Sequence, residues 1–87
     1  MTQKDREIAL LLKSTRKRIV AAQRLSELKY YDIAISNLYY AAFYLARTAL
    51  LKRDILPKSH AGTWHKFHEE FIKTKILPPI FSGYIKW

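Results

Sequence analysis

The stretch that decides the fold runs from Asp32 to Arg53 and reads DIAISNLYYAAFYLARTALLKR. Apolar side chains occupy nearly every helical angle along it, namely Ile33, Ala34, Leu38, Tyr40, Ala41, Ala42, Leu45 and Ala49. A helix that is apolar on almost all sides is normally a central helix that its neighbours bury. Asp32 is a favourable N-cap residue, so we predict that this central helix begins there.

A first helix is predicted upstream of this stretch. Thr2 and Asp5 have the spacing of a capping box, and the helical pattern then continues to about Leu28. At about 100° per residue, one face collects mostly apolar or small side chains. That face, which we expect to pack on the central helix, consists of Ile8, Leu11, Leu12, Thr15, Ile19, Ala22 and Ser26.

A third helix is predicted to begin after Ser59, a suitable N-cap residue. Trp64, Phe67 and Phe71 follow at i, i+3 and i+7, which is the spacing of a core-facing stripe. The helix should end at residues 73–75, where basic side chains suit a helix C-terminus.

Two prolines, Pro78 and Pro79, prevent that helix from continuing and suit the first turn of a fourth one. The fourth helix would be short or truncated, with the apolar side chains Ile80, Phe81, Tyr84, Ile85 and Trp87. We expect this surface to be covered by a second copy, or by a segment that the sequence lacks. The predicted fold is therefore all-α: an antiparallel up-and-down bundle of three full helices plus this fourth, forming one domain over residues 1–87.

The charge balance favours an anionic partner. Sixteen Lys and Arg residues against seven Asp and Glu residues give a net charge of +9. Four cations, here called the basic stripe, fall nearly in line on the first helix, opposite its apolar face: Arg6, Lys13, Lys17 and Arg24. The stripe is a candidate contact for RNA or a nucleotide, and the alternative is a solvated helix surface.

Other classes of protein find little support in the sequence. No stretch approaches the roughly 20 apolar residues that a membrane span needs, so no membrane association is predicted. The absence of cysteine fits a reducing cytoplasm. Of His60, His65 and His68, the last two lie at i, i+3 and could supply two metal ligands, but no third or fourth ligand is obvious, so neither a metal nor another cofactor is predicted.

Three motifs together resemble the HEPN domain family: SNLYYAAFYLARTALL, then KSHAG, then two phenylalanines four residues apart. The positions that match are Ser36, Tyr39, Tyr40, Ala41, Phe43, Lys58, His60, Gly62, Phe67 and Phe71. Two positions depart from the pattern. Asn37 stands where the family usually has an arginine, and Tyr44 stands where a histidine is common.

The resemblance implies a helical bundle that pairs as a homodimer, often beside a small nucleotidyltransferase protein. Some members of the family are toxins that cut RNA without a metal, using an arginine and a histidine separated by a short spacer. Arg53 and His60 satisfy that pattern, with six residues between them.

Three functions follow from these features. The first is an interaction module that binds a nucleotidyltransferase-type antitoxin in a toxin–antitoxin-like system. The second is a metal-independent ribonuclease toxin, in which Arg53 binds phosphate and His60 transfers protons. The third is a non-catalytic RNA or nucleotide binder that uses the basic stripe and Lys58. The alternative for Ser59 and His60 is a purely structural role, in which they cap and pack the third helix.

Overall fold

A computed structural model describes residues 2–73, and these residues form helices without any strand. The elements are α1 (Gln3–Glu27), α2 (Tyr31–Leu51) and α3 (His60–Phe67), followed directly by a π-helical turn (His68–Ile72). The all-α prediction is therefore confirmed, and the third helical segment ends by residue 73 as expected. The predicted fourth helix, from Pro78 to Trp87, lies outside the described residues.

Local capping signals determine both ends of α1. The Thr2 side chain accepts a hydrogen bond from the Asp5 backbone, and the Asp5 side chain accepts one from the Thr2 backbone, so the capping box is confirmed. At the other end, the Tyr30 amide donates to the Leu25 carbonyl at 2.8 Å in a Schellman motif. Lys29 has the left-handed conformation that this motif requires, with φ of 67°.

Helix α2 begins close to the predicted start, but its N-cap is Tyr30 and not Asp32, and it ends before the predicted Arg53. The helix begins at Tyr31 with Tyr30 as its N-cap, and Asp32 lies inside the first turn. A carboxylate is favourable there because it faces the positive end of the helix dipole. The helix ends at Leu51, before Arg53, because Asp54 takes the left-handed conformation of a second Schellman turn.

Helices α1 and α2 pack antiparallel along their length. Lys4 near the start of α1 bonds to the Lys52 carbonyl just past the end of α2, and Arg18 in mid-α1 bonds to Asn37. The contact face of α1 is rotated from the predicted one, since Leu12 is exposed. Of the predicted face, Ile19 and Ser26 are also exposed, whereas Thr15 and Ala22 are buried as expected.

Within residues 2–73, helix α2 is buried on two sides. Its first buried side carries small residues toward α1, and its second carries Phe43, Ala46 and Leu50. Among the described residues, α1 and α3 cover these two sides, and the other sides of α2 remain exposed. One exposed side, here called the α2 seam, consists of Tyr31, Ile35, Leu38, Ala42 and Leu45, and Ile33 is exposed on the opposite side.

Aromatic packing attaches α3 to α2. The Ser59 side chain accepts a hydrogen bond from the Gly62 amide at 2.9 Å, which confirms Ser59 as the N-cap. Trp64 is buried against Phe43, and Phe67 packs against the same cluster. Trp64, Phe67 and Phe71 are thus the core-facing stripe that the spacing predicted, with the first buried and the other two half-buried.

Candidate functional site

His60 lies at the edge of an open cavity of about 460 Å³ between α1, α2 and the loop that precedes α3. As the first residue of α3, its position is determined by the Ser59 cap. Most of the lining is apolar, but it includes one carboxylate, one guanidinium and one imidazole. The lining residues of this His60 cavity are Glu7, Leu10, Leu11, Ser14, Phe43, Tyr44, Arg47, Leu51, Ile55, Leu56, Pro57 and His60.

The Phe43 ring brings an imidazole and a guanidinium to the same cavity. His60 stacks on Phe43, with ring centroids 4.0 Å apart and an interplanar angle of 18°. The guanidinium carbon of Arg47 lies 5.8 Å from the centroid of the same ring. An exposed imidazole can transfer protons and a guanidinium can bind phosphate oxygens, so this cavity is lined by one proton-transfer group and one phosphate-binding group.

The Arg53 side chain does not line the His60 cavity. Its Nη1 atom lies 3.2 Å from Glu70 Oε2, and its guanidinium lies 4.6 Å from the centroid of the Phe71 ring. Among the described residues it is Arg47, and not Arg53, that lines the His60 cavity. In this structure Arg53 joins the loop after α2 to the π-helical turn.

A second, more polar cavity of about 370 Å³ adjoins the first. It is here called the Arg18 pocket, and it is lined by Ser14, Lys17, Arg18, Ala21, Asn37 and Tyr44. Ser14 and Tyr44 line both cavities, so the two meet there. Arg18 Nη1 donates to Asn37 Oδ1 at 3.0 Å, and the Arg18 guanidinium carbon lies 5.0 Å from the centroid of the Tyr40 ring.

The other cations predicted to bind nucleic acid are exposed and spread over the surface. All four residues of the basic stripe are exposed on α1, and Lys58 is exposed in the loop before α3. Of the stripe, Lys17 lines the Arg18 pocket and Arg24 lines a groove beside the α2 seam. The structure does not bring the four together into one pocket.

Within residues 2–73, no group of three or more His, Asp or Glu side chains is placed to hold a metal ion. No helix in this part of the chain is long and apolar enough to cross a membrane.

Two arginines of these cavities were not recognised as site residues from the sequence. Arg47 follows the aromatic run of α2, but nothing local distinguishes a cavity-lining arginine from a surface one. Arg18 lies on the contact face of α1, where the sequence pattern alone suggested only apolar packing. Its partner, Asn37, is nineteen positions away, so the pair depends on how the two helices align.

Comparison with known proteins gives one family. A family model described as HEPN domain matches residues 8–87. The protein named "Putative toxin MJ0142" of Methanocaldococcus jannaschii is 38% identical over 80 residues, covering 92% of this chain and 54% of that protein. "Putative toxin MJ0605" of the same organism is 33% identical over 79 residues, covering 91% and 59%.

A third relative, "UPF0332 protein glr0978" of Gloeobacter violaceus, is 38% identical over 58 residues, covering 67% of this chain and 46% of that protein. The chain thus spans about half the length of the curated relatives it matches. No solved structure matches it.

Proposed function

Since this chain belongs to the HEPN domain family, we propose that it is a homodimeric interaction module of a toxin–antitoxin-like system that binds a nucleotidyltransferase-type protein. Two similar proteins that carry the name toxin support this context. The observation on which the proposal depends is the exposed α2 seam.

The α2 seam has the spacing of a helix–helix interface. Its residues, Tyr31, Ile35, Leu38, Ala42 and Leu45, follow one another at intervals of four, three, four and three. This heptad spacing gives a straight apolar line about 21 Å long at 1.5 Å per residue. Small soluble domains seldom leave such a line in water, because each large apolar side chain that becomes buried contributes about 1.5–3 kcal/mol.

A second copy of the chain is the occupant that fits the seam. An isologous interface places the same surface of both copies face to face, and an apolar seam is complementary to itself. The net charge of +9 would repel a second copy from most other surfaces, but the seam carries no charged side chain. We therefore assign the α2 seam to the homodimer and the charged surfaces to other partners.

The nucleotidyltransferase-type partner is tested with purified proteins. The chain is mixed with a purified small nucleotidyltransferase protein, and the mass of any complex is measured by light scattering after size exclusion. We expect a complex that contains two copies of this chain and that weakens with salt, because the chain is strongly basic. Two separate peaks at tens of micromolar would contradict this part of the proposal.

The second candidate function is RNA cleavage without a metal, with Arg53 and His60 as the site residues. The observation that favours it is the exposed His60 imidazole on a cavity that also holds the Arg47 guanidinium. In that reaction His60 takes the proton of the attacking 2′-hydroxyl and gives it to the leaving 5′-oxygen, and a guanidinium stabilises the charge on the phosphate. Arg53 would have to exchange its contact with Glu70 for a phosphate oxygen.

A further inference from the structure

We propose that the His60 cavity binds a free α-amino acid with a large apolar side chain. The Arg47 guanidinium binds the carboxylate of this ligand, the Glu7 carboxylate accepts hydrogen bonds from its ammonium group, and its side chain fills the apolar part of the cavity. The site is separate from the proposed homodimer interface, since none of its lining residues belongs to the α2 seam. It also does not depend on RNA cleavage.

Glu7 and Arg47 line the cavity from two neighbouring helices, and both side chains are half-buried. The bonds that Lys4 and Arg18 make to α2 fix the antiparallel alignment of the two helices. This alignment places Glu7 within about one helical turn of the level of Arg47. One negative and one positive group therefore border the same part of the cavity.

Neither of these two charges is neutralised within the part of the chain that the structure describes. None of the ion pairs found in residues 2–73 includes Glu7 or Arg47. The Arg47 guanidinium carbon lies 5.8 Å from the centroid of the Phe43 ring, a contact that leaves its five N–H donors available. A carboxylate and a guanidinium that share a cavity without pairing are complementary to a ligand that carries both an ammonium and a carboxylate group.

The rest of the cavity suits a large apolar side chain. Its walls include Leu10 and Leu11 of α1, the Phe43 ring and Leu51 of α2, and Leu56 of the following loop. Leu10 is 63% exposed and Leu56 is 61% exposed, so a ligand can remove apolar surface of both from water. The volume of about 460 Å³ lies within the range of small-molecule sites. A branched or aromatic side chain is therefore favoured over a short one.

Ligands with a single charge fit this lining less well. A simple carboxylic acid would bind Arg47 but would bring its negative charge near the Glu7 carboxylate. A simple amine would bind Glu7 but would bring its positive charge near Arg47. A zwitterion satisfies both groups, and this is why we infer an amino acid and not a fatty acid or an alkylamine.

The test titrates L-leucine into the full chain and follows its backbone amide and imidazole NMR signals. The His60 ring is a suitable reporter, because it lies at the edge of the cavity and stacks on Phe43. We expect saturable shifts that are confined to the residues around the cavity. L-alanine should bind at least about tenfold more weakly, because each methylene group that is not buried lowers affinity by about fourfold.

Two derivatives of leucine test the charged ends separately. N-acetyl-leucine lacks the ammonium group and leucinamide lacks the carboxylate, so each should bind about tenfold more weakly than leucine. Glu7→Gln should weaken the binding of leucine and leucinamide but not of N-acetyl-leucine. Arg47→Gln should weaken the binding of leucine and N-acetyl-leucine but not of leucinamide. This crossed pattern identifies which residue binds which end of the ligand.

Two matched controls carry the same substitutions outside the cavity. Glu27 and Arg16 are exposed residues of α1 that do not line it. Glu27→Gln and Arg16→Gln should each change the affinity for leucine by less than about twofold, because exposed charges at a distance are screened. Arg47→Lys keeps the positive charge and should bind leucine more tightly than Arg47→Gln does, which separates loss of charge from loss of packing.

Three results would overturn the site. The first is the absence of any saturable shift with leucine. The second is equal affinity for leucine, alanine and the two derivatives, which would mean that neither the apolar walls nor the charges select the ligand. The third is binding of leucine that Glu7→Gln and Arg47→Gln weaken no more than the two controls do.

Discussion

Trp64 Nε1 donates a 2.9 Å hydrogen bond to the hydroxyl of Tyr39, and this bond joins α3 to α2 at the edge of the aromatic cluster. The indole is 3% exposed, so its N–H has little access to water. The two rings also lie 5.9 Å apart, centroid to centroid.

Tyr39→Phe removes the acceptor and keeps the ring. The buried Trp64 N–H then lacks its partner, so we expect the free energy of unfolding to fall by about 1–3 kcal/mol. This free energy is measured by urea unfolding, with circular dichroism as the signal. Tyr30→Phe, the same change at an exposed tyrosine, should stay within about 0.5 kcal/mol of the original protein. A loss no larger than that of Tyr30→Phe would mean that the bond does not hold the two helices together.

Lys29→Gly should stabilise the protein. Lys29 has a φ of 67°, a conformation that costs a side-chain-bearing residue about 1–2 kcal/mol and glycine almost nothing. Glycine also has more freedom in the unfolded chain, so we expect a net gain of about 0.5–1 kcal/mol. Lys52→Gly is the control and should destabilise the protein, because Lys52 has a helical φ of −61° that does not favour glycine. A melting temperature that falls in both variants would contradict the prediction.

The His60→Phe variant tests proton transfer by His60 separately from the packing of its ring. Phenylalanine preserves a ring that can stack on Phe43 but cannot transfer a proton. If the chain cleaves RNA, the rate on bulk RNA should fall at least about 100-fold in this variant while the melting temperature changes little. The same change at the exposed His65 should leave the rate unaltered. Cleavage that survives His60→Phe, or that a chelator abolishes, would remove the proposed mechanism.

Much of the fold could be predicted from sequence signals between nearby residues. The Thr2–Asp5 capping box, the Ser59 cap and the spacing of Trp64, Phe67 and Phe71 each involve residues within a few turns, where sequence separation determines geometry. The left-handed residues Lys29 and Asp54, in the turns that follow α1 and α2, could not be predicted, since a Schellman turn usually has glycine at these positions.

The candidate sites depend on the alignment of separate helices. His60 and Arg47 share a cavity because Phe43 packs between α2 and α3, and no spacing rule predicts that arrangement. The heptad spacing of the α2 seam is present in the sequence, but apolar residues on the other sides of α2 obscured it. Only the packing of α1 and α3 shows which side remains exposed.

The α2 seam can be tested as the dimer interface at Ile33 and Ile35, which lie on opposite sides of α2 and are both exposed, at 52% and 65%. Only Ile35 belongs to the α2 seam, so Ile35→Lys would place two charges in the proposed two-fold interface, where burying an unpaired charge is costly. Ile33→Lys makes the same change outside the seam and is the matched control.

Sedimentation velocity at tens of micromolar tests this claim most directly. We predict that the original chain and Ile33→Lys sediment as dimers, with twice the chain mass of 10.3 kDa, and that Ile35→Lys sediments as a folded monomer. A monomeric original chain, or an Ile35→Lys variant that is as dimeric as Ile33→Lys, would contradict the account.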